Sequence, residues 1–226
     1  MDFELNDEQL QLKATLARFL ADAGDFAART RALRAGPGWR EDVWQGLARL
    51  GVLSIGLPEA QGGFGGGLEM MAAMEEMGRA LAPEPLSETL FQAAPLLARG
   101  GQTELLEGVV GGQVRIALAV GEDGMRDDLN AIAMTAARSP SGWQLDGTKC
   151  VVVAAPWATH LLVAARTSGS PGDRTGCRCF SFLPLPPASA WRPTGCWTNA
   201  MRRMSALTPP EWMPPRWSAA RGRALP

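Results

Sequence analysis

The chain has 226 residues, 22 Lys and Arg against 23 Asp and Glu, a formal charge of −1, and 46% apolar residues. That length suffices for one domain with a real core or for two small ones, and the charge balance argues against a nucleic-acid binder. No apolar run reaches the roughly 18 residues of a membrane-spanning helix, and the opening Met1-Asp2-Phe3-Glu4-Leu5 lacks the basic and apolar regions of a secretory signal, so the expected compartment is cytoplasmic.

Along the chain the apolar period changes once. Asn6 is placed to cap a helix, and Gln9 at the third position completes a capping box; Leu12, Leu16, Phe19, Leu20 and Ala23 follow at helical spacing. Residues 24–38 hold a short basic helix with a Gly-Pro-Gly stop. Trp44, Leu47 and Leu50 share a helical face, and Gly51 sits where a left-handed C-cap residue belongs. Leu53 to Leu57 reads as a short extended stretch ended by Pro58.

The run Gly62-Gly63-Phe64-Gly65-Gly66-Gly67 precedes a helix starting near Leu68, a place where backbone amides can bind phosphate. No Gly-Lys-Ser/Thr follows, and no strand–GxGxxG–helix–acid pattern surrounds it. It therefore reads as a loop that needs positive φ. Met70, Met71, Met74 and Met77 form a helical stripe, either pliable ligand wall or plain core. Helices are expected over 87–99, ended or kinked by Pro95, and over 103–110.

From Val114 the period becomes strand-like over 114–120, 131–137, 142–145, 149–154 and 161–166. Turn signals at Ser139-Pro140-Ser141-Gly142 and Asp146-Gly147 predict antiparallel hairpins. Helices followed by strands make an α+β chain: a helical domain over 1–112, then an antiparallel β-domain over 113–176. His160, the only histidine, has no visible Asp, Ser or Cys partner and reads as structural. Cys177, Cys179 and Cys196 lack the paired spacing of a zinc site, so no metal is expected.

After Gly176 the composition shifts. Residues 177–226 hold 9 of the 17 prolines, 4 of the 8 tryptophans, 7 basic residues and one acid, Glu211. The Pro-Pro pairs interleaved with Trp, without a Lys/Arg cluster or an apolar helical face, do not make a nucleic-acid or membrane arm. A frameshift accounts for this segment. Read one nucleotide upstream, Cys177 to Leu183 become a run of aliphatic and Phe residues ending in Pro or Ser, and Trp197 to Ser205 can read Leu-Asp-Gln-Arg-Asp-Ala-Ala-Asp-Val. Residues 177–226 are thus expected to be an out-of-frame, non-native tail that replaces further ordered sequence.

Five stretches carry a family resemblance: Asp7-Glu8 with Leu12 and Phe19; Trp44-x-x-Leu47-x-x-Leu50-Gly51; Pro58-Glu59-x-x-Gly62-Gly63-x-Gly65; Glu75-Glu76-Met77-Gly78; and Gly142-Trp143-x-Leu145-x-Gly147-x-Lys149. In order and spacing the chain resembles the acyl-CoA dehydrogenase family, most of all small-subunit forms such as the pimeloyl-CoA dehydrogenase small subunit. The resemblance implies an N-terminal helical domain, a middle β-domain and a C-terminal four-helix domain, the last of which this chain would lack. It also implies FAD as cofactor, an acyl-CoA substrate, electron-transfer flavoprotein as acceptor, and a related acyl-CoA dehydrogenase subunit as partner in a homo- or hetero-oligomer.

In the family a Glu carboxylate removes the α-proton of an acyl-CoA thioester while flavin N5 takes the β-hydride. That Glu comes from the C-terminal domain, so no catalytic residue is expected in this chain. Flavin and acyl-CoA contacts align with 120–128 and 151–153, which implicates Val120, Gly121, Val152 and Val153 in cofactor binding and Arg126 in substrate binding. Glu122 and Asp128 match the family pattern. Gly121 and Arg126 stand where hydroxyl residues are usual, and Val151-Val152-Val153 where Trp-Ile-Thr/Ser is, which leaves backbone N–H groups to meet the isoalloxazine. Two readings follow: an FAD-dependent acyl-CoA dehydrogenase subunit, inactive as the sequence stands, or a non-catalytic partner that stabilises an active subunit. An unrelated helix-plus-β binding module is the third, marked by strands that fail to close a sheet behind Trp143.

Overall fold

The amino-proximal sequence forms helices because its apolar residues recur every three or four positions, and the sequence after Arg115 forms strands because they run consecutively or alternate. The computed structural model describes residues 4–24, 26–35, 38–125, 128–139, 142–182, 191–194 and 198–201. Its contacts divide into a helical unit that runs to Arg115, without Arg99–Gly101, and a β unit that begins at Ile116. Among the described residues no helix is long and apolar enough to cross a membrane.

Helix α1 spans Asp7–Asp22, and its start is the predicted capping box: Gln9 N donates to Asn6 Oδ1 and Asn6 N donates to Gln9 Oε1, each at 2.9 Å. Two of the orphan amides of the first turn are thereby satisfied. Its inward side buries Leu16 and Leu20. Helix α2 spans Phe26–Ala35 and α3 spans Glu41–Arg49, with Trp44 and Leu47 wholly enclosed. Gly51 has φ of 76°, the left-handed conformation expected of it.

Beyond Gly51 the chain differs from the extended reading of 53–57. Val52–Ser54 is a 3₁₀ turn, and Ile55 alone makes a bridge, to Phe64. The reason is local: Ser54 donates to the Gly51 carbonyl twice, from N at 3.0 Å and from Oγ at 2.8 Å, which closes the turn.

The glycine run is a structural loop. Gly62 and Gly65 have φ of 77° and 64°, and a Cβ on Gly63 would lie 2.0 Å from the Leu57 carbonyl oxygen. Helix α4, Gly67–Arg79, follows it. Where a phosphate would sit, the Glu69 carboxylate already accepts from Gly66 N at 2.6 Å and from Gln9 Nε2 at 2.7 Å. The hydrogen bond from Gln9, above all, holds that carboxyl below the ordinary glutamate range. The methionine stripe divides by depth: Met77 is buried, Met70 and Met74 half-buried, and Met71 exposed.

Pro95 leaves a distinct mark. Residues Ser87–Ala93 form a π turn that runs into helix α5, Ala94–Arg99, with Ala94 N bonded to Thr89 O five residues back. Proline has no N–H for the carbonyl four residues before it, and the widened turn absorbs the mismatch instead of breaking the helix. Helix α6, Thr103–Val110, completes the helical unit. Gly112 just beyond it accepts from Trp44 Nε1 at 3.0 Å and from Gln45 Nε2 at 3.1 Å, which ties α3 to the end of the unit.

The β unit holds β1 (Ile116–Ala119), β2 (Thr135–Ser139), β3 (Gly142–Asp146), β4 (Lys149–Val152), β5 (His160–Arg166), β6 (Cys177–Phe182), β7 (Trp191–Thr194) and β8 (Thr198–Met201). Every residue of β5 is buried, and the strand pairs with β1, β2 and β6. Helices first and strands after is the α+β order read from the sequence. The pairing is mixed rather than purely antiparallel, because β1 and β2 run parallel to β5. Parallel neighbours require a long connection, and β1 reaches β5 only after the chain has passed through three other strands.

Of the two predicted hairpins, the one at Ser139–Gly142 forms, joining β2 to β3 in antiparallel register. The other does not, since after Asp146-Gly147 the chain enters β4, which pairs with β8 in a second sheet. Gly147 (φ 148°) serves a close approach instead: a Cβ there would lie 2.8 Å from Met134 Cα. Trp143 packs against the core of the β unit, beside Met134, Leu145 and Val163. The strands around it pair into one sheet, in the order β1-β5-β2-β3 with β6 on β5, so the mark of the third reading is not seen among the described residues.

Replacement of Trp44 by Phe removes a buried hydrogen bond and leaves a small void. The Trp44→Phe chain is expected to lose about 1–2 kcal/mol, read as a lower urea midpoint at unchanged slope.

Candidate functional site

Of the two segments singled out in the sequence, 120–128 and 151–153, the first lies with its residues 120–122 beside Lys149 and Cys150, which lead directly into the second. Val120, Gly121 and Glu122 follow the end of β1, and Lys149 opens β4. Cys150 N donates to the Gly121 carbonyl at 2.8 Å. Lys149 is fully buried, and its ammonium donates to Val120 O at 2.9 Å and to Glu122 Oε1 at 2.6 Å. Glu122 also accepts from Ala133 N at 2.7 Å and Met134 N at 3.0 Å.

This ion pair is a clamp of short bonds with every charge partnered. A buried ammonium is tolerated only when its hydrogens find acceptors. Burial pulls Lys149 below the ordinary lysine range, and the bond to Glu122 opposes that shift.

Gly121 has a steric reason to be glycine. A Cβ there would meet the Cys150 carbonyl oxygen at 2.8 Å, so any side chain would push β4 away. Gly121 is thus a position where two backbones touch. Val120 is half-buried against Met125, Ile132 and Ala164, and Val152 is part of the core. Val153 and Val151 face outward, 42% and 61% exposed.

Val151 is backbone-strained as well as exposed, with φ of 55°; Ala154 has φ of 61°. A β-branched residue in that region is a genuine outlier. It marks a bulge, where the pairing register of β4 shifts between Lys149 and Val152, and bulges redirect side chains.

Arg126 lies outside the described residues. Asp128 caps the 3₁₀ turn Leu129–Ala131, its Oδ1 accepting from Asn130 N at 2.9 Å. His160 starts β5 with 6% of its surface exposed, and its Nδ1 lies 2.9 Å from Thr159 Oγ1. Burial pushes the imidazole down to about 4, so it is neutral at ordinary pH and belongs to the core.

In the sequence Lys149 and Glu122 stand as matches to the family pattern, without a role of their own. The signal is a Lys opening the apolar strand β4 and a Glu just beyond the apolar strand β1, legible only once the two segments are adjacent.

The family described as Acyl-CoA dehydrogenase, N-terminal domain, matches residues 6–110. Residues 6–110 thus belong to the acyl-CoA dehydrogenase family, as its N-terminal domain. Benzylmalonyl-CoA dehydrogenase of Aromatoleum aromaticum is 32% identical over 175 residues, which cover 74% of this chain and 45% of that protein. Among solved structures, the ChsE4–ChsE5 complex of Mycobacterium tuberculosis aligns with a TM-score of 0.71 and 25% identity, over 92% of this chain and 58% of that one. The FAD complex of PigA aligns with a TM-score of 0.70 over 92% of this chain and 58% of its own, at 21% identity, a likeness of fold. The chain spans less than half the length of these curated relatives, which include acyl-CoA dehydrogenase FadE27 of Mycobacterium tuberculosis, 36% identical over 132 residues, 56% of this chain and 34% of that protein.

Two outcomes test the site's electrostatics. Lys149→Met leaves Glu122 buried without its counter-charge and is expected to cost about 3–5 kcal/mol, whereas adding Glu122→Gln recovers part of that loss, a coupling that a double-mutant cycle measures. His160 binds its proton more readily unfolded (6.5) than folded (about 4), so stability is full above pH 6.5 and falls as pH drops toward 4. The loss is on the order of 2–3 kcal/mol, seen in melts across that window and abolished by His160→Phe.

Proposed function

We propose that the chain is part of an FAD-dependent acyl-CoA dehydrogenase subunit that takes part in α,β-dehydrogenation of an acyl-CoA thioester. The observation that carries this reading is the clamp at Glu122–Lys149, which holds Val120-Gly121 against Lys149-Cys150, directly ahead of Val152-Val153. Val120, Gly121, Val152 and Val153 are the proposed cofactor contacts, and Arg126 the proposed substrate contact.

The donor set fits a flat ring held through main chain and apolar surface. Val151 and Val153 present apolar faces outward, and the hydroxyl and indole groups usual in the family are replaced. Bound FAD supplies the hydride acceptor. The chain's own residues position it: the clamp fixes the spacing of the two segments, and the bulge at Val151 aims the valines. The proton-abstracting carboxylate is proposed to lie in sequence corresponding to the part of the relatives that this chain does not span.

The helical domain is proposed to end near Gly112, with the β-domain over 113–176 and an out-of-frame tail over 177–226. Pairing of Cys177–Phe182 with β5 runs through backbone groups, which any sequence can supply, so it is compatible with the shifted frame. The proposed partners are acyl-CoA, a related acyl-CoA dehydrogenase subunit and an electron-transfer flavoprotein, in the cytoplasm. A second reading, a non-catalytic partner subunit, is favoured by Gly121, whose contact with Cys150 leaves no room for the usual hydroxyl.

Resequencing the codons around Gly176 tests the tail, and an intact frame there overturns it. Full-length protein restored in frame and co-expressed with a related subunit is expected to purify with flavin absorbance. A colourless protein that still co-purifies with that subunit selects the second reading.

A further inference from the structure

Arg166, the last residue of β5, is 3% exposed, and all its acceptors are main-chain carbonyls. Its Nε donates to Ile132 O at 3.0 Å, Nη1 to Thr175 O at 2.8 Å, and Nη2 to Asn130 O at 2.8 Å and Asp173 O at 3.3 Å. Its own amide donates to Met134 O at 2.7 Å. A buried guanidinium balanced by carbonyl dipoles is costly to place, and its rigid fork reaches several acceptors that a point-like ammonium cannot span.

The segment it grips is the one that holds Glu122. Ala133 and Met134, whose amides bind the Glu122 carboxylate, follow directly on Ile132. The contacts run from Arg166 to 130–134, then to Glu122, to Lys149, and to the two segments that would meet the cofactor. We propose that Arg166 is a positioning residue: it sets the 130–134 backbone so that Glu122 and Lys149 lock the cofactor-facing segments in register. The proposal deepens the flavoprotein reading and rests on it for the cofactor arm alone.

Amide hydrogen exchange on the chain, and FAD titration on the full-length protein restored in frame and co-expressed with the related subunit, test it, using Arg166→Met, Arg166→Lys as the milder change, and Leu162→Ala as a control of similar lowered melting temperature. The expected result is at least tenfold faster exchange at Ala133 and Met134 in Arg166→Met, with partial rescue in Arg166→Lys and no such local loss in the control. Where the wild type binds FAD, affinity falls at least tenfold in Arg166→Met and less in Arg166→Lys. Equal exchange at those amides in Arg166→Met and the control overturns the proposal, as does FAD affinity untouched by either substitution. A wild type that binds no FAD overturns the flavoprotein reading, and the exchange arm still decides the role of Arg166.

Discussion

One buried ion pair sets the geometry on which the rest of the β unit depends. Lys149 and Glu122 meet at 2.6 Å with almost no solvent, and each is bound in turn to main chain: Lys149 to Val120 O, Glu122 to the amides of Ala133 and Met134. Such a pair contributes little net stability compared with a well-packed apolar substitute, yet breaking it is severe. Its effect is therefore on arrangement. It holds the segment after β1 against the start of β4, and Gly121 lets the two backbones come within contact distance.

The helical unit is organised differently, by hydrogen bonds that close the ends of its elements. Asn6 and Gln9 cap α1, Glu69 closes the entry to α4, and the indole of Trp44 reaches Gly112 beyond α6. Arg40 adds a further tie, its main-chain and side-chain nitrogens both 3.2 Å from Glu84 Oε1. Burial raises the Glu84 carboxyl above the ordinary glutamate range while the Arg40 charge pulls the other way. With the entries to α1 and α4 closed in this way, the inward apolar stripes direct the packing of these helices.

Much of this was legible residue by residue. The Asn6–Gln9 box, the left-handed Gly51 and the Ser139–Gly142 hairpin depend on neighbours a few positions away, and local chemistry decides them. Pro95 was legible as a disturbance, though not as a π turn, because a missing N–H does not say how the helix will absorb it. The extended reading of Leu53–Leu57 failed where a serine hydroxyl turned back onto Gly51. Asp146-Gly147 carries hairpin chemistry, but the glycine serves the close approach of Met134, just ahead of β2. The candidate cofactor positions came from resemblance; nothing in the local sequence around Val120 or Val152 signals that the two segments adjoin.

By itself the order of residues determined the α+β succession, the helix caps and the tight turns, because each rests on interactions within a few residues of the chain. Only the tertiary structure decided that β1 runs parallel to β5, that Lys149 finds Glu122 27 positions away, and that Arg166 is spent on carbonyls of two loops. Those contacts join residues distant along the chain, and a buried charge takes whichever partner the fold brings within hydrogen-bond reach once water has been excluded.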